Sequence, residues 1–191
     1  MARAGEAGLP VTVYRPPLIA GPSNGRFWHE GDLLQRLLQG SLALGASPDL
    51  AWELDVVPVD YVADAVSALA WSEPAKGRCF HLQHPEPLML TTLLSQITDA
   101  QGGWRILPMQ EWIEEIEASL TNPLQPLLPF LRQRWGEDGL TYPERNCKGQ
   151  RARPSCGYTT QLLAEQGVRC PEWDQLISPW ASALLQQKSS V

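Results

Sequence analysis

The run Val11 to Gly25, V-T-V-Y-R-P-P-L-I-A-G-P-S-N-G, has the residue types and spacing best suited to chemistry. Alternating β-branched and aromatic residues from Val11 to Tyr14 predict one short buried strand, and Pro16 and Pro17 end its pairing because neither carries an amide hydrogen. The chain must leave the sheet there. After a short apolar patch, Gly21, Pro22, Ser23, Asn24 and Gly25 predict an exposed turn with open amides. In α/β sheets ligands lie in the crevice outside the carboxyl ends of the strands, so this turn is the candidate site.

Other reactive residue types fit structural roles. Ser23 lacks the G-x-S-x-G surroundings of a hydrolase nucleophile. Cys79, Cys147, Cys156 and Cys170 have no C-x-x-C spacing, which speaks against zinc despite His81 and His84, and no metal site is expected. The two histidines suit strand-end hydrogen bonds. Arg15 suits a carboxylate or backbone carbonyls at the strand end. Lys148 to Arg153 is the locally basic run, a solvated loop that could also meet an acidic partner.

Length and composition bound the elements that position these groups. With 191 residues, 43% of them hydrophobic and 19% charged, the chain suits one globular core or one domain with a smaller lobe. A formal charge of −6 leaves no basic footprint for nucleic acid. No apolar run approaches the ~18 residues of a membrane span and no secretion signal opens the sequence, so a cytoplasmic protein with reduced thiols is expected. Eight tryptophans and 17 prolines predict a loop-rich lobe braced by aromatic anchors.

In order, Met1 to Gly8 read as the last turns of a helix that feeds the first strand, as in the second half of a β-α-β unit, so the chain is expected to begin in mid-domain. Leu33, Leu34, Leu37 and Leu38 predict a helix over 27–39 stopped by Gly40, and Ala46 to Asp49 predict a turn. Leu54 to Val59 is strand-like. Asp60 is placed to cap the amides of residues 62 and 63 in the helix that follows, which ends by Pro74 and Gly77. Cys79 to Leu82 and Trp104 to Leu107 are strand candidates, with a helix between them from Thr91 or Thr92 to Gly102-Gly103. Gln110 to Leu120 is an acidic amphipathic helix and a leucine-rich helical segment follows Asn122. Trp135 to Pro154 shows no period and predicts loop. Two helices close the chain, the last with Trp173, Leu176, Ile177, Trp180, Ala181, Leu184 and Leu185 on one face.

Five separated stretches together resemble one family. They are G-L-P-V-T-V-Y-R-P-P-L-I-A-G at Gly8 to Gly21, V-P-V-D-Y-V-A-D-A-V at Val57 to Val66, C-F-H-L-Q-H-P-E-P at Cys79 to Pro87, Gln110 to Trp112 with N-P-L-Q-P-L-L-P at Asn122 to Pro129, and T-T-Q-L-L-A-E-Q-G-V-R-C-P at Thr159 to Pro171. In this order they resemble the thioester reductase domains that end nonribosomal peptide and polyketide assembly lines. Those domains are extended short-chain dehydrogenase/reductases related to carboxylic acid reductases and fatty acyl-CoA reductases.

The resemblance implies an α/β fold, the C-terminal part of an extended Rossmann-type reductase with a few parallel edge strands and a mainly helical substrate lobe. Residues 1–88 would hold the rear of the NAD(P)-binding domain interleaved with lobe segments, and 89–191 the helical lobe. The implied activity is NADPH-dependent reduction of an acyl or peptidyl thioester, carried on a carrier protein's phosphopantetheine arm, to aldehyde or alcohol. By the resemblance Pro16, Pro17, Leu18 and Ile19 lie beside the nicotinamide, with Pro17 where the family usually has glycine. Gly21, Ser23, Asn24, Gly25, Phe27 and Trp28 line the mouth for the arm, and Asp60 matches a structural aspartate. No catalytic residue maps onto the chain, because the family's Tyr-x-x-x-Lys and glycine-rich dinucleotide loop have no counterpart in this sequence. The expected partners are therefore a carrier protein and an N-terminal Rossmann half. Two function classes stay open: the substrate side of a reductase, or a carrier or acyl-binding module without redox chemistry.

Overall fold

Two prolines set the topology at the start of the fold. In the computed structural model, which describes residues 7–26, 28–29, 31–98, 104–147, 149 and 153–188, the strand Val13–Arg15 pairs in parallel with Cys79–His81, Tyr14 opposite Phe80. Beyond Pro16 and Pro17 the chain takes a different partner: Leu18–Ala20 runs parallel to Val56–Pro58, with Ile19 opposite Val57. A proline cannot donate to a ladder, so the step between the two pairings falls where no amide is lost.

Parallel strands need a crossover, and the helix Val59–Ala70 supplies it between Val56–Pro58 and Cys79–His81. Its buried stripe of Tyr61, Ala65 and Leu69 packs with Val57, Phe80, Leu82, Leu162 and Leu163 into one core. A larger core gathers Leu34, Leu37 and Leu38 from Leu33–Leu44, Trp112 and Ile116 from Met109–Ala118, and Leu176, Ile177, Trp180 and Leu184 from Trp173–Lys188. Both cores draw on residues from either side of residue 88. The last helix carries Pro179 in its interior. Burial of its four large apolar side chains, about 1.5–3 kcal/mol each, outweighs the ~3 kcal/mol that an internal proline costs.

Four local expectations are corrected. Gly40 does not stop the helix expected over 27–39, which runs Leu33–Leu44 and ends at Gly45 in the left-handed region with φ 63°. Gly40 instead gives Leu124 and Asn122 room to press against the helix. Ala46–Pro48 is a buried strand, not a turn, paired in parallel with Arg105–Leu107. Asp60 caps nothing in its own helix; the cap position is Pro58, without a side-chain bond. The stretch expected as loop contains an antiparallel pair, Arg134–Trp135 with Leu140–Thr141, and the short helix Tyr142–Arg145. Met1 to Glu6, Gly102-Gly103 and most of Lys148 to Arg153 lie outside the described residues.

Candidate functional site

The proline step opens onto a cleft of about 240 Å³. One wall is Pro16, Pro17 and Leu18 at the end of the first strand; facing it are Leu33, Leu34 and Leu37 from one side of Leu33–Leu44. Asp32 fixes the start of that helix, its Oδ1 accepting the Gln35 amide at 2.9 Å and the Trp28 indole N–H at 3.2 Å.

Trp52, Glu53, Leu54 and Asp55 form the floor, held by the antiparallel pairing of Glu53–Leu54 with Leu88–Met89. Tyr142 and Asn146 close the far side. Their short helix begins with a capping box in which the Thr141 and Glu144 side chains each bond the other's backbone amide. The Tyr142 ring meets Trp52 edge-on at 6.2 Å and Phe130 at 4.6 Å, while the Glu53 amide donates to the Asn146 carbonyl at 2.8 Å. The Arg153 guanidinium lies 3.8 Å from Asp55 and donates to the His84 carbonyl at 2.9 Å.

Pro16, Pro17 and Leu18, expected beside a nicotinamide, thus meet in this cleft; Ile19 is directed into the strand pair with Val57. Their chemistry toward that ring is narrow. Two prolines have no N–H, and the Leu18 amide is spent on the Asp55 carbonyl at 3.1 Å. What remains is apolar surface and the proline carbonyls, which fit the face and the amide hydrogens of a carboxamide but give its oxygen no donor.

Gly21 to Gly25 does not present open amides. The Ser23 amide donates to Asp60 Oδ1 at 3.0 Å, the Ser23 hydroxyl to Asp60 Oδ2, and the Gly25 amide to the Pro22 carbonyl at 2.9 Å. Both glycines are buried. A Cβ on Gly21 would sit 3.0 Å from the Trp28 ring, and one on Gly25 would sit 2.5 Å from the Pro179 carbonyl oxygen. Trp28 packs on Trp180 at 5.3 Å, and the Trp180 indole donates to the Pro22 carbonyl at 3.0 Å. Asn24 is exposed and its Oδ1 takes the Arg26 amide; Phe27 lies outside the described residues. The loop is therefore locked beneath the last helix and forms no pyrophosphate cradle. None of Gly21 to Gly25, nor Trp28, lines the cleft.

His84 is structural, stacked on Trp173 at 4.0 Å with Nε2 donating to the Pro171 carbonyl and Nδ1 accepting the Glu86 amide. Burial raises the Tyr61 phenol far above its ordinary range and pushes the Cys170 thiol up to about 12, so neither is a base or nucleophile at neutral pH. Among the described residues no His, Cys, Asp or Glu cluster could hold a metal, and no helix is long and apolar enough to cross a membrane.

The sequence did not point to Trp52, Glu53, Tyr142 or Asn146. The signal available for the first two was the apolar and acidic alternation of W-E-L-D; for Tyr142 and Asn146 it was the T-Y-P-E capping box inside a stretch without period.

Comparison with known proteins agrees with this architecture. The NAD-binding family model described as "Male sterility protein" matches residues 1–66, and with the reductase neighbours it implies a nicotinamide cofactor. A linear gramicidin synthase of Brevibacillus parabrevis is 27% identical over 182 residues, covering 90% of this chain and 3% of that protein. Aldehyde reductase lnbA of Aspergillus flavus is 31% identical over 157 residues, covering 77% of this chain and 16% of that protein. The terminal R domain of the myxalamid PKS-NRPS pathway superposes with a TM-score of 0.78 at 29% identity, covering 97% of this chain and 46% of that one. The chain thus spans a small part of the curated relatives and just under half of the reductase domain.

Proposed function

Because the chain belongs to the terminal reductase domains of nonribosomal peptide and polyketide synthases, with their Rossmann-type fold, we propose that it forms the acyl-binding side of an NADPH-dependent thioester reductase. The observation that carries this reading is the cleft itself: the residues expected beside the nicotinamide share one cavity with Leu33, Leu34, Leu37 and Trp52. A hydride donor and an acyl group must lie within contact of one another to react.

In the balanced reaction one acyl thioester, one NADPH and one proton would give one aldehyde, one free pantetheine thiol and NADP⁺, the C–S bond breaking as the carbonyl carbon gains hydride. The chain's own share is to hold the acyl group against the Pro16 to Leu18 wall. In this reading the arm enters past the exposed Asn24 side of the loop Gly21 to Gly25, which itself lies outside the cleft lining. The cradle for the dinucleotide pyrophosphate is not among the described residues, and in this reading the remainder of a reductase domain supplies it.

A second reading uses the same cleft: a carrier and acyl-binding module that performs no reduction. The complete polypeptide in which this chain occurs separates the two. Given an acyl thioester on its carrier protein, a reductase consumes one NADPH for each aldehyde trapped as a hydrazone. Leu37→Trp, which fills the cleft, should abolish aldehyde release. Acyl-pantetheine binding without NADPH consumption would leave the binding module, and wild-type aldehyde release by Leu37→Trp would remove the acyl group from this cleft.

A further inference from the structure

The cleft joins leucine, proline and tryptophan side chains to polar groups and, among the described residues, carries carboxylate without cation in its lining. Glu53 and Asp55 both line it and no described basic residue does, while Arg153 beside it lies 3.8 Å from Asp55 and donates to the His84 carbonyl at 2.9 Å. The backbone of Glu53 is held from two directions. Its amide donates to the Asn146 carbonyl at 2.8 Å, and it stands opposite Met89 in the ladder. Glu53 lines the cavity, half-buried, between Trp52 and Leu54, which line it too.

Among the described residues no hydrogen bond or ion pair is made by the Glu53 carboxylate. A half-buried carboxylate keeps part of its hydration and gains a charge-assisted hydrogen bond when a cationic donor meets it. The cleft is therefore suited to a guest that is mostly hydrocarbon and ends in positive charge.

We propose that Glu53 is a specificity residue, and that the cleft selects acyl groups bearing an ammonium group, such as ω-amino or aminoacyl chains, over hydrocarbon acyl groups of equal size. This rests on the reading of the cleft as the acyl site. The methylenes pack against Leu33, Leu37 and Trp52, and the ammonium donates to the carboxylate. The pair is half-exposed, so its effect is moderate and salt-sensitive.

The test compares 6-aminohexanoyl pantetheine with heptanoyl pantetheine, which differ by a terminal ammonium in place of a methyl group. Dissociation constants are measured by calorimetry on the complete polypeptide without reductant. The ammonium-tipped probe should bind about fivefold more tightly, less so in high salt. Glu53→Gln should equalise the two, and Glu53→Lys should shift preference to adipoyl pantetheine. Equal affinities in the wild type, or a preference that survives Glu53→Gln, overturn the role of Glu53 while the acyl cleft stands. Failure of both probes to bind overturns the acyl cleft and the role of Glu53 with it.

Discussion

Ser23 and Asp60 hold each other across 37 residues of sequence: the Ser23 amide donates to Oδ1 at 3.0 Å and its hydroxyl donates to Oδ2. A carboxylate in the first turn of the crossover helix, where the helix dipole favours it, thereby fixes the loop that leaves the second strand. The position of the loop against the crossover helix is set by this clamp.

Asp60→Ala leaves the partly buried Ser23 amide without its acceptor and should cost about 1–3 kcal/mol. Asp60→Asn keeps one acceptor and should cost less. In a double-mutant cycle with Ser23→Ala the losses should be smaller together than summed, since both variants remove the hydroxyl bond. Strictly additive losses in urea unfolding would mean the two residues act separately.

Gly40→Ala tests close packing. In an exposed helix interior this change stabilises by about 1 kcal/mol. Here a Cβ would stand 2.6 Å from Leu124 Cδ1 and 2.7 Å from Asn122 Oδ1, and the Asn122 side chain is tied to the Gly40 carbonyl at 3.1 Å. Overpacking at about 1–3 kcal/mol exceeds the helix gain, so the midpoint of denaturation should fall. A rise would show that Leu124 moves aside freely.

The local alphabet made the existence of the first strand, expected buried over Val11 to Tyr14 and found half-buried at Val13–Arg15, the helix Val59–Ala70 and the face of Trp173–Lys188 legible, because period and punctuation are written within a few residues of each other. Ala46–Pro48 was not legible. A-S-P-D is turn-like in isolation, and it becomes a strand only because Arg105–Leu107 arrives beside it and the Trp104 and Trp112 indoles bond Ser47 Oγ and the Ala46 carbonyl. The cleft shows the same divide. Its Pro16 to Leu18 wall was marked by two adjacent prolines, whereas Trp52 and Tyr142 come from segments whose meeting no local pattern records.

The Thr141 capping box should make stability depend on pH. Glu144 is held below the usual carboxylate range, first by the Thr141 amide, then by the Thr141 hydroxyl, with Arg134 adding attraction. Its folded value is lowered, so the contribution is present above the unfolded value and fades as pH falls through the folded one. Glu144→Gln should therefore destabilise by about 0.5–1 kcal/mol at neutral pH, and the gap to wild type should close in acid. A gap that widens in acid has the wrong sign for this carboxylate.

The four thiols should alkylate in a fixed order. Burial, aided by Glu172, Cys156 and Asp60, pushes Cys170 up to about 12, and burial also raises Cys147. Cys79 is exposed. Because the thiolate is the reacting species, iodoacetamide at mildly alkaline pH should label Cys79 first and Cys170 last, as read by peptide mass spectrometry. Early labelling of Cys170 would mean that the core around Tyr61 opens on the timescale of the reaction.

Pro17→Gly separates stiffness from hydrogen bonding at the cleft wall. Proline narrows the unfolded ensemble, so its replacement by glycine should cost about 1 kcal/mol in urea unfolding. The same change adds an N–H at a wall where the Leu18 amide is already occupied by the Asp55 carbonyl. If a nicotinamide carboxamide lies there, its oxygen gains the donor that two prolines deny it, and NADPH should bind the complete polypeptide more tightly even as the fold weakens. Pro17→Ala also adds an N–H but stays stiffer than glycine, so it should show the gain in affinity with a smaller loss of stability. Affinity unchanged in both variants would place the carboxamide away from residue 17.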